Sequence, residues 1–417
     1  MNKFSAGKKT CQHPRLLLIN GDGYPPFRVD VTILFIKKLV ERGFRLDWIL
    51  TARKPFAKSK VIKGLGGAVI IGKRLEENGF ANKLINRIYS LTHETKIFKL
   101  LGKNDYDIVQ VKDKFITAVM AIIAAKLHKI PFTFWLSYPY QIEAQITAKK
   151  SEGIKKLFYL LKYHFINMIL MKIIFPYSTH VFVQSDKMKQ DFVDLEVSAN
   201  KVTAVPMGVS IDDMEAAHKK ATENRTKSPP RVAYLGVLNR IRRVDFIIRV
   251  FALIADKYPD LRLLFVGGAD KPEEENFLWE EAERLGVNEK MEITGFLPMQ
   301  EAWSKLRSND IGISFFEPSP IYDCASPTKI IEYMALEMPA VALEHPDQSK
   351  IINESRGGIC APYNEQAFAD AIEELLNDPE KSRQMGVDGR QYVIKHRDYE
   401  SLSERVEQVY LSLCGNN

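Results

Sequence analysis

Short apolar runs alternate with amphipathic ones along almost the whole chain. RLLLIN (Arg15–Asn20) reads as a buried strand, and the GDGYPP after it is dense in turn residues. VDVTILFIKKLVERG has helical spacing and ends on Gly43, a residue suited to the position just past a helix. FRLDWIL alternates as a second strand. YDIVQV, a helix through AVMAIIAAKLHK, PFTFWLS and THVFVQS repeat the unit. Residues 218–230 (HKKATENRTKSPP) are charged and Pro-ended, as an exposed linker or loop would be. The unit then restarts with RVAYLG, a helix VDFIIRVFALIADKYP, LRLLFVGG, a helix EEENFLWEEAERLG, KMEITGF, DIGISFF, a helix TKIIEYMALE and PAVAL. A charged helical segment closes the chain. Strands alternating with helices predict parallel sheets covered on both faces. The expected fold class is therefore α/β, with two Rossmann-like doubly wound domains facing a central cleft. Ligands of such sheets bind at the carboxyl ends of the strands.

Composition changes this picture little. With 417 residues, 46% apolar and 27% charged, the chain is long enough for two or three ordinary globular domains. Its cysteines (Cys11, Cys324, Cys360, Cys414) form no CxxC pair, which argues against a zinc site or a disulfide framework and fits a reducing cytoplasm. The first residues are basic but lack the continuous apolar stretch of a signal peptide. Leu157–Phe175 is the most apolar stretch. Lys162, His164, Asn167 and Lys172 interrupt it, which makes it a poor membrane span.

Charge changes the picture more. Residues 1–205 hold 34 Lys and Arg against 16 Asp and Glu, a net +18, whereas residues 206–417 hold 25 against 36, a net −11. A basic half suggests an anionic partner. From Lys149 to Phe175 basic and apolar residues intermix, the pattern of a helix lying on an anionic membrane surface or, alternatively, buried under a sheet. No basic-plus-aromatic module points to nucleic acid.

Two local motifs carry candidate chemistry. Ser326-Pro327-Thr328-Lys329-Ile330-Ile331-Glu332 predicts a helix start at Ser326–Pro327, with Ser as N-cap and Pro at the first helical position. Free N–H groups and the dipole at such a start attract a diphosphate, and Lys329 adds charge. Glu332, one turn on, is placed to accept ribose hydroxyls; the plain alternative is a capped surface helix with a Lys–Glu pair. The second motif, Gly236-Val237-Leu238-Asn239-Arg240-Ile241-Arg242-Arg243, joins a strand to a helix. Arginines at a helix start oppose its dipole, so they call for an anion, and guanidinium forks pair well with phosphate oxygens. Gly267-Gly268 reads first as a tight turn. Gly295-Phe296-Leu297-Pro298 is either a plain loop or a backbone that reads a base edge.

These residues resemble the retaining GT-B glycosyltransferases of family 4 over nearly the whole chain, most specifically in the second half. By that resemblance Arg242 matches the lysine that contacts the donor diphosphate, and Arg240 stands in for an arginine that Val237 replaces. Glu332 holds the ribose, with Lys329 and Thr328 by the phosphates. The first glutamate of the family's Glu-x7-Glu motif is Cys324 here, with Asp323 beside it as a substitute. The histidine that many members carry after the strand Pro131–Leu136 is Ser137.

The resemblance implies transfer of a sugar from a nucleotide-sugar donor with retention, in cell-surface polysaccharide synthesis, and no metal or cofactor. Arg242, Lys329 and Glu332 are the expected catalytic residues. Gly236, Arg240, Phe296, Leu297, Asp323, Ser326, Pro327 and Thr328 are expected to bind the donor. Gly21, Asp22, Tyr24 and Ser137 lie on the acceptor side. The expected partners are a glycan or polyprenyl-linked acceptor and an anionic membrane surface on the cytoplasmic side, with no nucleic acid. Expected domains are 1–205 for the acceptor, 206–395 for the donor, and 396–417 as a helix crossing back to the first. A sugar-nucleotide epimerase and a non-enzymatic scaffold on the same fold remain alternatives.

Overall fold

The computed structural model describes residues 13–103, 105–222, 229–307 and 310–414. The chain divides into two compact units. The first runs to Pro206 and takes back the residues from Leu402; the second is Met207–Ser401. Of the expected linker, residues 218–222 continue the helix Ile211–Thr222, and 223–228 lie outside the described residues, as does the basic start.

The first unit holds the strands β1 (Arg15–Asn20), β2 (Arg45–Thr51), β3 (Lys60–Gly64), β4 (Gly67–Gly72), β5 (Ile108–Lys112), β6 (Phe132–Leu136), β7 (His180–Val183) and β8 (Val202–Ala204). They pair in the order β3-β4-β2-β1-β5-β6-β7-β8, all parallel except the edge hairpin β3–β4. That hairpin departs from the parallel pattern because Leu65 and Gly66 both take positive φ (52° and 88°), the geometry of a tight two-residue hairpin turn. The chain leaves β1 toward β2 and returns on its other side at β5. The β1/β5 carboxyl ends are thus a topological switch point. The helix expected after β1 is present but is π-wound over Asp30–Leu39. Its buried positions still recur at three- and four-residue steps, so periodicity does not distinguish the two windings.

β5 is buried along its length because helices cover both faces. Its Gln110 is satisfied by hydroxyl donors from Thr133 (3.0 Å) and Tyr410 (2.6 Å). Tyr410 belongs to the closing helix Tyr399–Cys414, whose residues from Leu402 pack into this unit. Its ring meets Phe44 and Phe182, and Arg42 pairs with Glu407 at 2.6 Å.

The second unit has β9 (Arg231–Leu235), β10 (Arg262–Val266), β11 (Met291–Ile293), β12 (Ile311–Ser314), β13 (Ala340–Leu343) and β14 (Gly358–Ala361), all parallel in the order β11-β10-β9-β12-β13-β14. Here the switch point lies between β9 and β12. Apolar clusters fill both faces, with Phe246 stacked on Phe315 in one and the helix Thr328–Ala335 in the other. A buried Arg397–Asp347 ion pair at 2.5 Å ties the end of this unit to its centre.

Candidate functional site

At the second unit's switch point the strands part. β12 pairs with β9 only at Ile311–Val232 and Gly312–Ala233. The buried Tyr333 enters beyond that point. Its hydroxyl donates to the Ile313 carbonyl (2.9 Å) and accepts from the Leu235 N–H (2.8 Å). One side chain thus satisfies two backbone groups that the divergence would orphan, and it fixes the end of β9 from which the basic loop begins.

Directly above lies Gly236, at φ 146°, where a Cβ would meet Lys329 Cε at 3.1 Å. Gly267, read from sequence first as a tight turn, has a stricter reason: a Cβ there would lie 2.1 Å from the Gly236 carbonyl oxygen. The ends of β9 and β10 thus touch backbone to backbone, which only glycine allows.

Lys329 Nζ stands 5.2 Å from the centre of the Tyr234 ring. Its pKa is brought down to about 8, first by burial and then by the nearby Arg242, with Glu332 opposing the fall. Burial also raises the Glu332 pKa, against the indole N–H of Trp303 (3.2 Å), Lys329 and Thr328. Arg242 sits beside the Tyr234 hydroxyl. The structure therefore gathers Gly236, Arg242, Lys329, Thr328 and Glu332, five of the residues expected from sequence. Two cations that repel each other, beside a buried carboxylate, form a place for a polyanion that also carries hydroxyl groups.

The helix starts later than expected. It runs Thr328–Ala335 with Pro327 as its cap residue. Ser326 does not cap it, because its hydroxyl is committed elsewhere: it accepts from the Met207 N–H (3.0 Å) and the Arg397 guanidinium (3.1 Å) and donates to Asp347 (2.8 Å). Arg240 is also committed, with its guanidinium 4.4 Å over the Phe277 ring. Arg243 takes φ 49° and pairs with Asp245 at 3.2 Å. Asp323 ends the short helix Pro320–Asp323, next to the buried Cys324. Phe296 is exposed, while Leu297 lines a cavity of about 530 Å³ with Ala216, Ala217 and Gln300. Trp303, Tyr234 and the bridging role of Tyr333 escaped the sequence reading. Trp303 and Tyr333 act through contacts 29 and 98 residues away in sequence, which no local pattern announces.

In the first unit, Gly21, Asp22 and Ser137 gather at the β1/β5/β6 carboxyl ends, and Tyr24 is held at the end of β2 through its N–H to Thr51 (2.7 Å). Four groups that sequence did not single out stand among them: Asp113, Asp30, Lys112 and Arg28. Asp113, at φ 59°, accepts from the Ser137 N–H (2.8 Å) and from its hydroxyl. Asp30 is paired with Lys112 and, at 3.0 Å, with Arg28. Burial would raise the Asp30 pKa, but Lys112 and Arg28 overcome it and hold the group below the usual range. Asp22 and Asp113 shift the other way, upward, because burial outweighs the same cations. The cluster offers carboxylate acceptors of the kind that hold sugar hydroxyls.

Comparison with known proteins bears on the family and the fold. The family described as "Glycosyl transferases group 1" matches residues 215–392, and "Glycosyltransferase Family 4" matches residues 30–213. The chain is similar to the putative glycosyltransferase EpsD of Bacillus subtilis, 26% identical over 42% of this chain and 44% of that one. It is 23% identical to a D-inositol 3-phosphate glycosyltransferase of Corynebacterium urealyticum, over 51% of each. The similarity thus spans about half the length of the curated relatives it matches. Among solved structures, the sucrose-phosphate synthase of Thermosynechococcus elongatus superposes with a TM-score of 0.68 at 17% identity, covering 97% of this chain and 100% of that one. Anabaena HepE in complex with UDP gives 0.67 at 13%, covering 96% and 100%. At such identities the likeness is one of fold.

Proposed function

The chain belongs to the group 1 glycosyltransferases of the GT-B fold, and from that membership we propose that it moves a sugar from a nucleotide-diphosphate donor to a glycan or lipid-linked acceptor in cell-surface polysaccharide synthesis. The observation that carries the reading is the Lys329–Arg242 pair above Gly236, one helical turn from Glu332. In this reading the pair and the first N–H groups of the helix Thr328–Ala335 hold the diphosphate. Glu332, steadied by Trp303, accepts the ribose hydroxyls. As the bond from the anomeric carbon to the diphosphate breaks, charge grows on the leaving oxygen. Cations fixed in a low-dielectric site stabilise it, each contact by roughly 3–4 kcal/mol on the scale of single oxyanion donors, without calling on a metal ion. The acceptor hydroxyl then bonds through its oxygen to that carbon on the face the diphosphate left, giving its proton to the departing phosphate oxygen, with retention.

Asp323 takes the sugar-orienting place of the missing glutamate, and Phe296 and Leu297 border the base. Gly21, Asp22, Tyr24 and Ser137, with Asp113, take the acceptor. The protein works at the cytoplasmic side of the membrane. UDP is the first base to try, because the neighbour HepE was solved with it.

The test is turnover. The protein is incubated with UDP-, GDP-, ADP- and dTDP-sugars and a panel of glycan and polyprenyl-phosphate acceptors. The expected result is release of one nucleoside diphosphate only when an acceptor is present, and a product whose anomeric configuration matches the donor's. Inversion would remove the retaining mechanism. Epimerised donor without transfer would replace the reading altogether.

A further inference from the structure

The helix Gly153–Ile169 buries only Ile166 and Ile169, both in its last turn. Its outward side carries Ile154, Leu157, Phe158, Leu161, Phe165 and Met168, each 47–88% exposed. Their steps of three and four residues make one continuous stripe about 20 Å long. Of the most apolar part of Gly153–Tyr177, only 22% is buried. A core helix shows the reverse, so the alternative that this segment lies under the sheet is excluded for its first half. Lys155, Lys156 and Lys162 flank the stripe, and Lys149 and Lys150 precede it, against Glu152 alone between Lys149 and Lys162.

A second helix, which the sequence reading passed over, has the same character. Phe80–Glu94 exposes Phe80 (84%), Leu84 (50%) and Ile88 (51%) at four-residue steps, beside the exposed Lys83 and Arg87. Its last turns are anchored at the carboxyl ends of β2 and β4: Ser90 bonds Thr51 (3.1 Å), and His93 bonds the Ile70 carbonyl (3.0 Å). The chain runs on from there toward the amino end of β5. The first half, Phe80–Ile88, therefore stands beyond the carboxyl edge of the sheet. The Tyr140–Lys149/Gly153–Ile169 hairpin rises from the same edge, since it begins four residues after β6 ends and Lys162 reaches back to Glu143 (3.4 Å).

We propose that these two helices together dock the first unit on an anionic lipid surface, with the carboxyl edge of its sheet turned toward the headgroups. The occupant follows from shape and charge. Both stripes are convex single-helix faces, which suit a fluid surface, and both are bordered by lysine and arginine within a half-chain of net +18. The lysines interrupting Gly153–Tyr177 favour lying in the interface over crossing it. The inference does not depend on the donor chemistry. It would bring an acceptor carried by a lipid to the edge where Asp22, Asp113 and Ser137 lie.

The experiment is co-sedimentation of the full chain with vesicles of phosphatidylcholine alone and with about 30% phosphatidylglycerol. It compares wild type, Phe158→Glu/Leu161→Glu and Leu84→Glu/Ile88→Glu, with the oligomeric state of each measured alongside. Folding is checked by circular dichroism and by a cooperative thermal melt at the wild-type temperature. Wild type is expected to bind the anionic vesicles, with added salt weakening binding, and each double variant to bind at least tenfold more weakly. Equal binding by wild type and variants, or no preference for anionic vesicles, would overturn the proposal. So would a wild-type dimer that the variants convert to monomer without a change in vesicle binding, because a second copy of the chain would then be what covers the stripes.

Discussion

Lys329 shows how much one position can depend on what surrounds it. It lies in the first turn of a helix, where its charge opposes the dipole, and it is buried beside Arg242. Each effect disfavours the protonated form, so its pKa falls to about 8. A bound diphosphate reverses the balance and favours the ammonium. Binding above pH 8 must then take up a proton, and affinity falls as pH rises through 8. Calorimetric titration of the cognate nucleoside diphosphate should give constant affinity between about pH 6.5 and 7.5 and a loss of about tenfold by pH 9. Lys329→Arg, which stays charged throughout, should bind without that slope. An equal slope in the arginine variant would assign the titration to another group. Ser326 is the instructive contrast. Its side chain type suits an N-cap, yet the Asp347–Arg397 ion pair recruits it, because a buried pair needs its remaining hydrogen bonds filled.

At the scale of elements, the site depends on where β9 and β12 part and on Tyr333 filling the gap. Tyr333→Phe keeps the ring but leaves the Leu235 N–H and the Ile313 carbonyl unpaired in the interior. Each orphaned group costs about 1–3 kcal/mol. The variant should unfold at a lower denaturant midpoint, by about 2 kcal/mol or more, and bind nucleotide more weakly because the strand end carrying Gly236 loosens. Unchanged stability and affinity would mean that the loop is held by its other contacts, such as the Gly236 N–H to the Val266 carbonyl. The strands were legible from sequence because short apolar runs bounded by turn residues leave few alternatives; RLLLIN, RVAYLG and LRLLFVGG all form. The π winding of Asp30–Leu39 and the antiparallel β3–β4 edge were not legible, because they depend on hydrogen-bond partners rather than on periodicity.

Across the whole molecule, two motifs pointed to the Lys329–Arg242–Glu332 cluster before any coordinates did. They were readable because phosphate recognition uses short local devices: a strand, a glycine, a basic loop and a helix start. Trp303 and Tyr234 complete that site from other elements, and Asp113 and Lys112 do the same at the switch point of the first unit. Such side chains meet only when the sheet is assembled. The +18 half-chain was equally plain in composition. What carries its meaning is the outward direction of the stripes on Phe80–Glu94 and Gly153–Ile169, which only burial reveals. The central claim is that the Lys329–Arg242–Glu332 cluster binds a nucleoside diphosphate. A thermal-shift titration with UDP, GDP, ADP and dTDP tests it most directly, on wild type and on Glu332→Ala. At a hundredfold excess over Kd, mass action adds about 2.7 kcal/mol to stability. The account predicts that one of the four bases raises the melting temperature by several degrees and that Glu332→Ala loses most of the rise. No shift with any of them at millimolar concentration would contradict it.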